Sequence, residues 1–99
     1  MIIVHDIFVC KPGNASKMAK LFKEWADVKS KKNTHVMTDM TGQYHRVVVA
    51  TNYDSLADYE EDTKTMMENQ NAEEKAMMDK FKDMNEMYTT GTREIYKVW

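Results

Sequence analysis

Apolar residues recur along this chain with two different periods. From Ile2 to Cys10 they crowd into a short run, Ile-Ile-Val-His-Asp-Ile-Phe-Val-Cys. The run is β-branched and aromatic and too short for an average helix, which predicts a strand. Lys11-Pro12-Gly13 ends it, because proline cannot donate to a ladder and glycine permits a sharp turn. Asn14 is a candidate helix cap. After it Met18, Leu21, Phe22, Trp25 and Val28 repeat at three- and four-residue spacing, which predicts a helix with one apolar stripe. Lys29, Lys31 and Lys32 cluster where that helix ends. They form either a basic patch or, more simply, a set of cations at the negative end of a helix dipole.

Residues 34–40 and 43–52 read as two strands joined through Thr41-Gly42. Asp39 and Gly42 suit the first and last positions of a type I turn. That makes a three-residue hairpin loop with Gly42 in the left-handed conformation. In this register His35, Met37, His45, Val47 and Val49 share one face, and Val36, Thr38, Tyr44, Arg46, Val48 and Ala50 the other. A two-residue loop would put His35 with Arg46 instead, so the faces hang on the turn.

Ser55-x-x-Asp58 resembles a capping box at the start of a second helix. Leu56, Tyr59, Thr63, Met66 and Met67 mark its inner face, and Asn69-Gln70-Asn71 breaks the pattern. Asn71-x-x-Glu74 then starts a third helix with Met77, Met78, Phe81, Met84 and Tyr88 as its stripe. Gly91 ends the helical region, and residues 92–99 finish as a strand. The order β-α-β-β-α-α-β is a ferredoxin-like α+β plan, an antiparallel sheet with helices on one face. At 99 residues, the whole span 1–99 reads as a single domain.

A one-sided sheet should alternate apolar and polar residues. Ile2-Ile3-Val4, Ile7-Phe8-Val9 and Val47-Val48-Val49-Ala50 instead place apolar side chains on both faces. Leaving one face in water would expose a large apolar patch, so a homodimer with two sheets packed face to face is expected. Composition points the same way, because so short a chain gains from an added source of burial. The single cysteine, Cys10, forms no intrachain disulfide. His5, His35 and His45 have no short-range ligand spacing, so no metal is expected. Oligomerisation remains.

Fourteen Lys plus Arg against sixteen Asp plus Glu give a net charge of −2. That argues against nucleic acid or an anionic membrane as partner. No apolar run approaches the roughly 18–20 residues that span a bilayer. The start, Met1-Ile2-Ile3-Val4-His5-Asp6, lacks the pattern of a signal peptide, so a cytoplasmic location is the expectation.

The strand ending in Lys11-Pro12-Gly13, the amphipathic helix after it, and the run Val47-Val48-Val49-Ala50-Thr51-Asn52-Tyr53-Asp54-Ser55-Leu56-Ala57-Asp58-Tyr59 resemble the dimeric α/β barrel superfamily. The segment Tyr-Asp-Ser-Leu-Ala-Asp is most similar to its NIPSNAP-like branch. These motifs mark turns and caps, so the resemblance implies fold more than chemistry. The superfamily includes cofactor-free monooxygenases, haem-degrading enzymes and isomerases. Where haem-degrading members carry an Asn on the first strand and a Trp at the end of the third, this chain has Asp6 and Ala50. Where NIPSNAP-like members tend to carry an Arg and an aromatic on the first strand, it has Asp6 and Phe8.

No G-x-G-x-x-G, P-loop or paired-cysteine motif is present, and no cofactor is expected. Polar residues inside apolar strands are what remains. Asp6 sits among Val4, Phe8 and Cys10 by period-two alternation. Facing an intersheet space it is a candidate general base. Paired with Arg46, the obvious cation, it is structural, or it leaves Arg46 to hold a ligand carboxylate. The ligand-binding candidates are Asp6, Phe8, Tyr44, Arg46, Val48, Ala50 and Tyr96, with Trp25 as a further wall residue. Six of the ten methionines, Met66, Met67, Met77, Met78, Met84 and Met87, lie in the last two helices. They are either gap-filling core residues or an adaptable apolar wall.

Two function classes follow. One is a homodimer with an apolar intersheet or sheet–helix pocket for a small hydrophobic, even fatty-acid-like, molecule. The resemblance adds a cofactor-independent oxygenase or isomerase, with Asp6 as base and Tyr44 and Arg46 stabilising negative charge. The other is an RNA-binding module stacking bases on Phe8 and Tyr44. That reading is weakened by the negative charge and by a third strand without the basic-Gly-aromatic signature. A purely structural interaction module is a third option.

Overall fold

The computed structural model describes residues 1–29, 33–42, 44–68 and 71–99, without the side chains of Met67 and Glu68. Lys31 and Lys32 of the basic cluster, Gln43, the Asn69-Gln70 break and the Met67 side chain lie outside the described residues. The elements run β1 (Ile2–Cys10), α1 (Ala15–Val28), β2 (Thr34–Thr38), β3 (Arg46–Tyr53), α2 (Leu56–Glu68), α3 (Ala72–Lys80), a short 3-10 turn (Met84–Glu86) and β4 (Tyr88–Lys97). The sheet is antiparallel in the order β2-β3-β1-β4, the ferredoxin-like arrangement that the element order predicted.

The caps follow their chemistry. Ser55 Oγ accepts from the Asp58 backbone N–H at 3.2 Å, and Asn71 Oδ1 accepts from that of Glu74 at 2.9 Å. Each side chain satisfies a helix-start donor that has no intrahelical partner. Asn14 occupies the cap position of α1 but makes no side-chain cap bond.

The hairpin differs from the expected three-residue loop. His35 pairs with Ala50, Met37 with Val48 and Thr38 with Val47, so that β2 ends at Thr38 and β3 begins at Arg46. Asp39 Oδ1 closes the hairpin by accepting from the Arg46 backbone N–H at 2.7 Å. Gly42 and His45 both adopt positive φ, +97° and +64°. The register is thus displaced from the expected one by an odd number of residues, which exchanges the faces. His35 shares a face with Arg46, Val48 and Ala50, while His45 leaves the strand for the loop.

The last strand also begins earlier than Gly91 suggested. Regular α3 stops at Lys80, and Tyr88 already pairs with Cys10 across a bulge. Gly91 lies inside β4 opposite Phe8. A Cβ there would sit 3.4 Å from the Phe8 ring and 3.6 Å from that of Tyr88. The glycine therefore lets two aromatic rings close over the strand rather than stopping a helix.

Cys10, Met18 and Val47 form the centre of the core, with Phe8, Phe22, Met84 and Tyr88 packed around them. This places Phe8, Cys10 and Val47 on the helix-covered face. Leu56, expected on the inner face of α2, is exposed instead. Among the described residues no helix is long and apolar enough to cross a membrane.

Met18 is fully enclosed, whereas Met40 in the hairpin connection is 97% exposed. Met18→Ala should cost about 2–5 kcal/mol in urea unfolding through lost burial and a residual cavity. Met40→Ala should stay within about 0.5 kcal/mol of the parent. Equal effects at the two positions would overturn this placement of the core.

Candidate functional site between sheet and helices

Period-two alternation on β1 sends Val4, Asp6 and Phe8 toward the helices. Their antiparallel partners on β3, Thr51, Val49 and Val47, take the same face, and Tyr53 continues it. Above them α1 supplies Phe22 and Trp25, three residues apart. Helix α2 supplies Tyr59, Thr63 and Met66, at the four- and three-residue steps that line up one helix face. Met78, Phe81 and Met84 complete the roof. Between floor and roof lies a cavity of about 300 Å³.

Much of the wall is aromatic. Phe8 stacks on Phe22 with centroids 5.2 Å apart, and Phe22 meets Phe81 at 5.5 Å. Tyr53 and Tyr59 meet edge to face at 5.3 Å. Such offset and T-shaped contacts suit the ring quadrupole. They leave ring faces and edges as the cavity surface.

Polar groups on the wall are few, and most are engaged. Thr51 Oγ1 lies 3.1 Å from Thr34 Oγ1. Thr63 Oγ1 donates to the Tyr59 carbonyl at 2.9 Å. The Tyr53 hydroxyl donates to Asp62 Oδ2 at 2.7 Å. Burial, reinforced by that hydrogen bond and by the Asp62 charge, pushes the Tyr53 hydroxyl well above the usual tyrosine range. The hydroxyl is therefore a held donor rather than an acid at neutral pH.

Asp6 Oδ1 accepts from Arg93 Nε at 2.5 Å, and the Arg93 guanidinium lies 5.9 Å from the Tyr59 ring centroid. The hydrogen bond to Asp6 raises the Arg93 pKa against a smaller opposing effect of burial. The sequence pointed to Arg46 as the partner of Asp6; the partner is Arg93 instead. Asp6 lies opposite Val49 on β3 and Arg93 on β4. The register therefore sends Arg46, an odd number of residues from Val49, through the sheet to the other side.

Of the candidate ligand contacts, Asp6 and Phe8 line the cavity together with Trp25. Arg46, Val48, Ala50 and Tyr96 share the opposite face, where His5 meets the Tyr96 ring at 5.3 Å. Tyr44 sits in the hairpin connection and is 79% exposed. Phe8 and Tyr44, cast as a base-stacking pair, do not lie side by side on an open sheet. Arg93, Tyr53, Tyr59 and Phe81 are among the lining residues that the sequence reading did not name as site candidates. Arg93 stands in an alternating last strand, but matching it to Asp6 required the β1–β4 register. The methionine stripe did carry a signal, since Met66, Met78 and Met84 all reach the cavity.

A four-stranded antiparallel sheet, helices packed over it and a cavity between the layers define an α+β ferredoxin-like protein. Solved structures share this fold. One is an uncharacterized NIPSNAP domain protein from Burkholderia xenovorans, with a TM-score of 0.76 and 10% identity over 100% of this chain and 95% of that one. Another is a NIPSNAP family protein from Agrobacterium tumefaciens, with a TM-score of 0.74 and 18% identity over 97% and 90% of the chains. A protein of the antibiotic biosynthesis monooxygenase type from Deinococcus radiodurans gives a TM-score of 0.64 and 16% identity over 100% and 93%. No family model matches the sequence, and no curated protein matches it.

The Tyr53 pKa makes a pH-dependent statement. A group that is harder to ionise when folded adds stability that is complete below the unfolded value, about 10. That stability is lost as pH rises toward the folded value. Absorbance titration at 295 nm should show one of the five tyrosines ionising last. That latest phase should vanish in Tyr53→Phe. Its survival there would mean that another tyrosine is the protected one.

Proposed function

We propose that this chain works as a homodimer in which each copy holds a small hydrophobic molecule between its sheet and its helices. The observation that carries the reading is the aromatic-lined cavity of about 300 Å³, at the small end of the roughly 300–1,000 Å³ typical of ligand pockets. Its mostly apolar wall with a few convergent polar groups is the composition such pockets share. Similarity to folds of the antibiotic biosynthesis monooxygenase type is compatible with a cofactor-independent oxygenase or isomerase. Asp6 in its ion pair with Arg93 favours recognition over a free general base. The aromatic wall favours a ring-bearing ligand over the fatty-acid-like chain that aliphatic strands suggested.

Support for the dimer comes from the other face. Ile3, Ile7 and Val9 of β1 lie there beside Val48 and Ala50 of β3, flanked by Met37, 43% exposed, and Tyr96, 48% exposed. A second copy packed sheet to sheet covers this patch without disturbing the cavity. In sedimentation at micromolar concentration the protein should behave as a dimer. Ile7→Glu should give a monomer with unchanged far-UV circular dichroism, because a carboxylate on that face leaves the helix-side core intact. A dimer that survives the substitution places the interface elsewhere. Native mass spectrometry, then denaturing extraction, should reveal a retained small molecule. Loss of its retention on Phe81→Ala would tie it to the cavity.

A further inference from the structure

Resting on that reading of the cavity, we infer that it selects a planar, net-neutral ligand bearing an adjacent hydrogen-bond donor and acceptor, such as a carboxamide or lactam edge, and rejects carboxylates. The argument starts from what the wall still has to offer. Thr51, Tyr53 and Thr63 already spend hydrogen bonds on Thr34, Asp62 and the Tyr59 carbonyl. Among the described residues, Asp6 Oδ2 and the Arg93 η-nitrogens have no hydrogen-bond partner, and both residues line the cavity. Beside them stands the Tyr59 ring.

The pair presents one acceptor and one set of donors side by side, held in register by the 2.5 Å bond between Oδ1 and Nε. A ligand carboxylate drawn to Arg93 would also stand against the Asp6 carboxylate. The Arg93 and Asp6 side chains are 57% and 30% exposed, so a carboxylate meets a screened attraction and a screened repulsion that nearly cancel, and gains nothing from its charge. A protonated amine meets the same cancellation in reverse. A carboxamide avoids both, because its N–H donates to Asp6 and its carbonyl accepts from Arg93. No net charge is brought in, and both groups keep a hydrogen-bond partner when the ligand displaces water from them. The stacked Phe8–Phe22 pair and the Tyr53–Tyr59 pair supply surfaces that a flat ring system can meet.

Three probes of one shape separate the possibilities: 2-naphthamide, 2-naphthoate and 2-naphthylmethylammonium. Binding is read from Trp25 fluorescence in a Trp99→Phe background, since Trp25 lines the cavity and Trp99 is fully exposed. The amide should bind about tenfold more tightly than either ion, the difference expected when a charge-assisted hydrogen bond is made without opposition. Asp6→Asn leaves Arg93 unopposed and should turn the preference toward naphthoate. Arg93→Gln leaves Asp6 unopposed and should turn it toward the ammonium probe. The two variants are reciprocal, so one that fails to fold leaves the other decisive. Tightest binding of naphthoate to the parent protein overturns the inference. Equal binding of all three, unmoved by either variant, also overturns it but leaves the cavity as a binding site. No Trp25 response to any probe overturns the inference and the cavity reading together.

Discussion

The pairing of β1 on both of its edges is the constraint from which the rest of the site follows. Asp6 lies opposite Val49 on one side and Arg93 on the other. Side chains alternate with a period of two, so these two registers set the faces of β1, β3 and β4 relative to one another. They bring a carboxylate and a guanidinium from opposite ends of the chain onto one wall. The same registers send Arg46 away from it. A slip of one residue at the β1–β4 edge would carry Arg93 to the face away from Asp6. The aromatic contacts of Phe8 with Phe22 and Tyr88 reinforce the register, because they form only with Phe8 on the helix side.

The cavity owes its shape to bulky rings that meet in pairs and leave space between the pairs. Phe8, Phe22 and Phe81 form one group, and Tyr53 with Tyr59 another. The polar functions gather near the second group, where Asp6, Arg93 and Asp62 all lie. An apolar end and a polar end in one small chamber impose an orientation on whatever enters. That is how a few polar groups give specificity to a mostly apolar pocket.

The element order and the fold were legible because each element announces itself locally. Ile2–Cys10 is β-branched and bounded by Pro12-Gly13, α1 carries a regular stripe, and Ser55 and Asn71 cap as their chemistry predicts. The hairpin was not legible. Asp39 and Gly42 fit a short turn, yet Asp39 instead reaches across the connection to Arg46, and His45 takes the positive φ that closes it. Nothing in residue type marks His45 for that conformation. Gly91 misled for a related reason, since a glycine needed for close approach of rings has the same letter as one that ends a helix. Strand alternation grouped Asp6 with Phe8, but the space expected for Asp6 was the intersheet one, whereas both residues face the helices. Arg93 and Tyr53 depended on long-range registers that the local pattern does not encode.

The roof of the cavity is held differently from its floor. Helix α3 buries Met77 and has a weak apolar stripe. Besides the Phe22–Phe81 contact, two ion pairs attach it to α1 and its cap, Lys29 with Glu74 and Lys80 with Glu24. The first spans 2.7 Å between side chains only 12% and 15% exposed, so salt screens it less than an exposed surface pair. The second is about half exposed on both sides and contributes little by itself. At that same end Phe81 packs on Phe22 of α1 with centroids 5.5 Å apart. A helix held by few apolar contacts belongs to the low-stability part of a fold, where local opening occurs without global unfolding. The floor, a strand paired on both edges, stays in place while this happens. The Asp6–Arg93 pair joins β1 to β4 and so belongs to the floor rather than to this helix.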